Sequence, residues 1–112
     1  QIMSCPEYLA YDLAGLSSVV LDCHQSNCFQ ITIDRTTNIS FVNTRAGQAI
    51  RLKIRQTDTG GASTVTWAQT IRWDNNTAFE VSGSGKSDWL GFMVKPNGEL
   101  DGFVIGKALT RD

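Results

Sequence analysis

GQAIRLKIRQTDTGGASTVTWAQTIRW, residues 47–73, is the stretch on which the fold reading turns. Its first half alternates: Ile50, Leu52 and Ile54 point one way, and Arg51, Lys53 and Arg55 the other. A period of two is what a half-buried β-strand requires, because successive side chains leave opposite faces of a sheet. A polar loop from Thr57 to Ser63 follows, and Gly60 and Gly61 within it permit positive φ. Thr64, Val65, Thr66 and Trp67 make a second β-rich run, and Ile71, Arg72 and Trp73 a third. Two such runs joined by a glycine-containing loop predict a β-hairpin.

Outward from this centre the same period recurs. On the N-terminal side, residues 18–22 and 28–34 read as strands, the second with Phe29, Ile31 and Ile33 on one face. Ile39, Phe41 and Val42 mark another, and residues 43–47 turn the chain into the central stretch. On the C-terminal side, residues 74–77 form a turn cluster and Phe79 and Val81 flank a short strand. Leu90, Phe92 and Val94 then share a strand face. Pro96 is suited to the first central position of a tight reversal and Gly98 to a positive-φ position. Leu100 to Ile105 returns antiparallel.

Strands spaced this regularly predict an all-β chain, a single antiparallel β-sandwich or jelly-roll-like domain over residues 17–106. Residues 1–16 are expected to be an N-terminal arm or short helical turn, and residues 107–112 a C-terminal tail. Tyr8, Tyr11 and Leu13 make the arm apolar enough to pack on its own sheet or on another subunit. No internal repeat is evident.

Composition narrows the function classes. With 112 residues, one core is expected, and 41% hydrophobic with 19% charged side chains is ordinary for a globular chain. A formal charge of −1 leaves no cationic excess for nucleic-acid binding, and no apolar run is long enough to span a membrane. Three cysteines, Cys5, Cys23 and Cys28, read as reduced thiols, with a Cys23–Cys28 bridge as the alternative. They lack the paired Cys-x-x-Cys spacing of a structural zinc site. Gly83 to Ser87 ends in Gly-Lys-Ser, but the phosphate-loop pattern needs a glycine where Glu80 stands, and a helix where a strand follows. A single histidine and no serine elbow leave nothing to assemble a triad. No cofactor or metal is expected, and no enzymatic activity.

Two surface features remain. Arg51, Lys53 and Arg55, joined by Arg45 and Arg72, form a basic face that is either solvated or docked on an acidic partner. Trp67, Trp73 and Trp89 are read as core or interface anchors, with a sugar-stacking platform as the alternative.

Leu52-x-Ile54-x-Gln56, Gly60-Gly61, Thr64-Val65-Thr66-Trp67 and Ile71-x-Trp73 together resemble a β-module of tailed-bacteriophage virion proteins. The likeness spans about residues 38–106 and continues through Trp89 to Val94, Pro96-Asn97-Gly98 and Gly102-Phe103-x-x-Gly106. The chain departs from the family at Gly102-Phe103, where Trp-Tyr-Gly is usual. The resemblance implies a β-sandwich or jelly-roll-like unit, a homotrimer and a non-enzymatic role in the virion, and it brings no catalytic residues. Read as a complete short chain without a shaft, it suits a capsid decoration (cement) protein bound to the major capsid protein on the outer capsid surface and made in the host cytoplasm. A tail-fibre or receptor-binding module contacting host glycans is the alternative. A carbohydrate-binding β-sandwich unrelated to virions is the second.

Overall fold

The computed structural model describes residues 17–57 and 64–109 in full, and residues 9–12 and 110 by their backbone. Among the described residues there are nine strands: β1 (Leu9–Asp12), β2 (Ser18–Asp22), β3 (Cys28–Ile33), β4 (Thr37–Val42), β5 (Ala49–Gln56), β6 (Val65–Trp67), β7 (Ile71–Trp73), β8 (Lys86–Val94) and β9 (Leu100–Thr110). The fold is all-β, as the alternating pattern predicts. Six strands form one sheet in the order β1-β3-β5-β8-β9-β7, and three form a second in the order β2-β4-β6.

The expected central hairpin does not form. β5 and β6 belong to different sheets, and β7 returns to the first, where it runs parallel to β9. A hairpin needs both strands side by side in one sheet. Here the half-buried Val65 and Trp67 of β6 pack on the core from the second sheet. Periodicity reports which face of a strand is covered, and it carries nothing about which strand lies alongside. The Gly60-Gly61 loop lies outside the described residues.

From β1 to β6 the chain alternates between the two sheets, so each strand lies beside the one two places earlier, running the same way. Leu9 is level with Phe29, Phe29 with Leu52, and Ile31 with Ile54. In the second sheet Val19 is level with Ile39, Ile39 with Trp67, and Leu21 with Phe41. These pairings are parallel, which corrects the expectation of an antiparallel fold. Parallel neighbours need a crossover between them, and here the crossover is a strand of the opposite sheet. The result is a flattened coil whose turns take up roughly 20 to 28 residues each, within the range of solenoid repeats. The sequence shows no repeat because what recurs is only an apolar position, filled in turn by Leu, Phe and Leu, and the connections differ in length.

Both sheets contribute to one core. Phe29, Ile31, Ile33, Ile39, Leu52, Ile54, Leu90 and Phe92 are fully buried in it. Each such side chain is worth roughly 1.5–3 kcal/mol relative to leaving it exposed. An aromatic group closes the core near β6 and β7: Trp67 lies edge-on to Phe92 at 5.4 Å and to Trp73 at 5.7 Å, and Phe41 is 5.1 Å from Phe92.

After the coil comes an antiparallel cap. β8 pairs with β5 on one side and β9 on the other. The β8–β9 turn follows the sequence expectation: Gly98 has φ +89°, its N–H donates to the Lys95 carbonyl at 2.9 Å, and Lys95 N–H donates to the Glu99 carbonyl at 2.8 Å. Asn75 and Asn76 take positive φ in the predicted turn after β7. The last strand runs on to Thr110 through residues expected to be a tail. At the other end, residues 9–12 form a strand beside β3 within the expected arm, and residues 1–8 and 13–16 lie outside the described residues.

Candidate interface

The outward face of the six-stranded sheet gathers the sequence-predicted basic residues. Ile50, Leu52 and Ile54 fill the core, so alternation turns Arg51, Lys53 and Arg55 outward. Across β8 they stand level with Gly91, Trp89 and Ser87. The Lys53 ammonium sits 5.8 Å from the centre of the Trp89 ring, a cation–π contact worth about 0.5–1 kcal/mol at an exposed site.

Arg72 is not part of this row. It lies on β7, beyond β8 and β9, and its guanidinium holds the Glu99 carboxylate through two hydrogen bonds of 3.3 Å. Lys95 approaches Glu99 and Asp101 at 3.8 Å each. The Arg72 hydrogen bonds hold the Glu99 carboxyl below the usual carboxylate range. Tyr8 and Leu13 lie outside the described residues. Tyr11 is described only by its backbone, level with Ile31.

Between the basic row and β7 lies an apolar strip that sequence reasoning did not single out. Met93, Phe103 and Ile105 are 40%, 38% and 54% exposed, a high value for large apolar side chains on one sheet face. Gly91 is what brings them together. A Cβ there would stand 2.5 Å from the Phe103 ring and 3.2 Å from the end of Ile105, so the ring lies directly on the glycine backbone. The strip borders a groove of about 660 Å³ whose far wall is the segment from Arg45 to Ala49. The alternation of Phe103 and Ile105 about Val104 was visible in the sequence. That their shared face is the outer one depends on β9 pairing with β8 in this register.

The cap is pinned from inside by Asp88. It lies in β8, fully buried. Its carboxylate accepts from the Ser82 hydroxyl and amide at 2.7 Å each, and from the Ala108 amide at 2.8 Å. Ala108 has φ +54°, and the β8–β9 register shifts at Ser87–Trp89 and Trp89–Leu90, the mark of a bulge. Lys107 stands 3.8 Å from Asp88 and donates to the Ser82 hydroxyl and the Glu80 carbonyl. One carboxylate therefore ties the 80–82 segment to β8 and to the bulge in β9. Alternation back from Leu90 would have turned Asp88 inward.

The expectation of reduced thiols holds for Cys23 and is corrected for Cys28. Cys28 is disulfide-bonded, to a partner outside the described residues. Cys23 is a free, buried thiol, so no Cys23–Cys28 bridge exists. Burial pushes the Cys23 thiol up to about 12, which removes it as a nucleophile at neutral pH. His24, its neighbour in the turn that follows β2, is exposed. Among the described residues no group of three or more His, Cys, Asp or Glu side chains gathers to hold a metal ion. Nor is any helix there long and apolar enough to cross a membrane.

The three tryptophans do not share a face. Trp67 and Trp73 pack on Phe92 within the core group, whereas Trp89 lies on the outward face beside Lys53. No protein-family model, curated protein or solved structure matches this chain.

Proposed function

We propose that this chain is a non-enzymatic structural module of a tailed-bacteriophage virion, of the capsid-decoration type. In this reading it is a homotrimer that binds the major capsid protein at capsomer junctions and stabilises the outer shell. The observation that supports it best is the β8–β9 face, an apolar centre of Met93, Phe103 and Ile105 beside the Arg51–Lys53–Arg55 row. An apolar core with a charged rim is the composition of a surface that holds another protein. The sequence resemblance supplies the virion, and this face supplies the mode of action.

A tail-fibre module is the second reading, and the parallel coil favours it. Stacked turns extend along one axis, which suits a shaft. The sugar-stacking platform has less support, because Trp89 is on the opposite side of the sheet from Trp67 and Trp73.

Co-sedimentation of the purified chain with expanded, empty heads of tailed phages, and with intact host cells, separates these readings. Bound heads whose melting temperature rises, together with a trimer in sedimentation equilibrium, support decoration. Cell binding without head binding moves the assignment to the fibre. Binding to neither overturns the virion reading.

A further inference from the structure

The face proposed above as a docking surface has one part shaped to take more than a flat contact. We propose that the groove between the 45–49 segment and the β8–β9 face receives an extended segment of a partner protein, one carrying an aliphatic or aromatic side chain beside a carboxylate. This inference rests on the docking reading and names the chemistry of what docks.

The floor of the groove is apolar. Phe103 and Ile105 lie against the bare backbone of Gly91, and Met93 continues the surface along β8. The opposite wall is fixed by hydrogen bonds. The Gln48 amide donates to the Asn27 side chain at 2.6 Å and to the Cys23 carbonyl at 2.8 Å, while its oxygen accepts from the Arg45 amide at 3.1 Å. Gly47, at φ +85°, donates to the Val94 carbonyl at 2.8 Å. A pre-formed site loses little entropy when filled. At about 660 Å³ the groove is larger than one side chain, so it takes several consecutive residues.

Charge selects among such segments. Arg45, on the wall, is exposed, and among the described residues its guanidinium makes no ion pair. Arg51 lines the same groove. A guanidinium at the rim of an apolar floor favours a carboxylate placed next to an apolar side chain, because it offers a planar fork of donors. A basic segment of the same apolar content meets repulsion.

Titrating the full chain with acetyl-Glu-Leu-Phe-Glu-amide, followed by ¹⁵N–¹H correlation spectra, tests this. The amides of Gly47, Gly91 and Ile105 should shift and saturate. Arg45→Glu and Ile105→Asp, both at exposed positions, should keep the parent melting temperature and weaken binding at least tenfold. Equal binding of acetyl-Lys-Leu-Phe-Lys-amide, shifts confined to another face, or no shifts at all would each overturn the proposal. So would groove signals that broaden with protein concentration alone, since the occupant would then be a second copy. Failure here with head binding intact in Arg45→Glu removes the groove and leaves the decoration reading standing. Peptide binding without head or cell binding does the reverse.

Discussion

The coil of β1 to β6 and the cap of β8 and β9 share a core but are held by different means. In the coil, apolar residues at matching positions stack from turn to turn, as Phe29 on Leu52 and Ile39 on Trp67 do, and the pairing is parallel. In the cap, the pairing is antiparallel, the register is broken by a bulge, and a buried carboxylate joins three segments. The coil turns most of its apolar side chains inward, with Val20 and Val42 exposed, while the cap leaves Phe103, Ile105 and Met93 together at the surface. Stacking of like on like gives a body of regular cross-section. A break in that regularity, secured by a specific polar lock, is where a surface able to bind something else is presented.

The coil is the more sensitive of the two. Ile54→Asp places a carboxylate in the fully buried ladder beside Ile31. Its burial cost is comparable to the roughly 5–15 kcal/mol that holds a typical domain together, so circular dichroism should show an unfolded chain. Asp88→Ala acts on the cap alone. It strands the buried amide of Ser82 and removes the acceptor for Ala108, at a cost of about 1–3 kcal/mol for each stranded donor. Hydrogen exchange should rise over residues 80–82 and 106–109 while the amides of β3 and β5 stay protected. Equal loss of protection in both regions would mean that coil and cap are one cooperative unit.

Smaller effects test the surface. Gly91→Ala puts a methyl group where the Phe103 ring lies, and the ring can swing into solvent, so the expected loss is only about 1 kcal/mol. The groove floor is then broken, and binding to heads should fall by more than the drop in melting temperature suggests.

The least effect concerns Glu99. Its folded carboxyl titrates below its unfolded value because Arg72 hydrogen-bonds the charged form. That contribution is present above about pH 4.5, the unfolded carboxylate value, and is lost as pH falls through the lower folded value. Glu99→Gln should flatten the acid limb of stability against pH in that window, with an equal and small loss of stability at neutral pH. An unaltered limb would show that the pair contributes nothing in solution.

Local side-chain chemistry determined several things about this protein by itself. Alternation identified β5 and its two faces, Pro96 and Gly98 set the β8–β9 turn, and the Asp74 to Thr77 cluster marked a reversal. Each depends on residues close together in the chain, where the spacing of apolar side chains and the φ preferences of Pro, Gly and Asn act directly. Only the tertiary structure decided that β5 and β6 part company, that the pairing is parallel, and that Arg72 serves Glu99 instead of joining the basic row. It also decided that Phe103 lies on Gly91 and that Asp88 locks the cap. Outside the β8–β9 hairpin, strand partners are chosen by contacts between residues about twenty or more positions apart. A half-buried strand has the same alternation whichever neighbour it takes, so the pattern of one strand holds no record of the next.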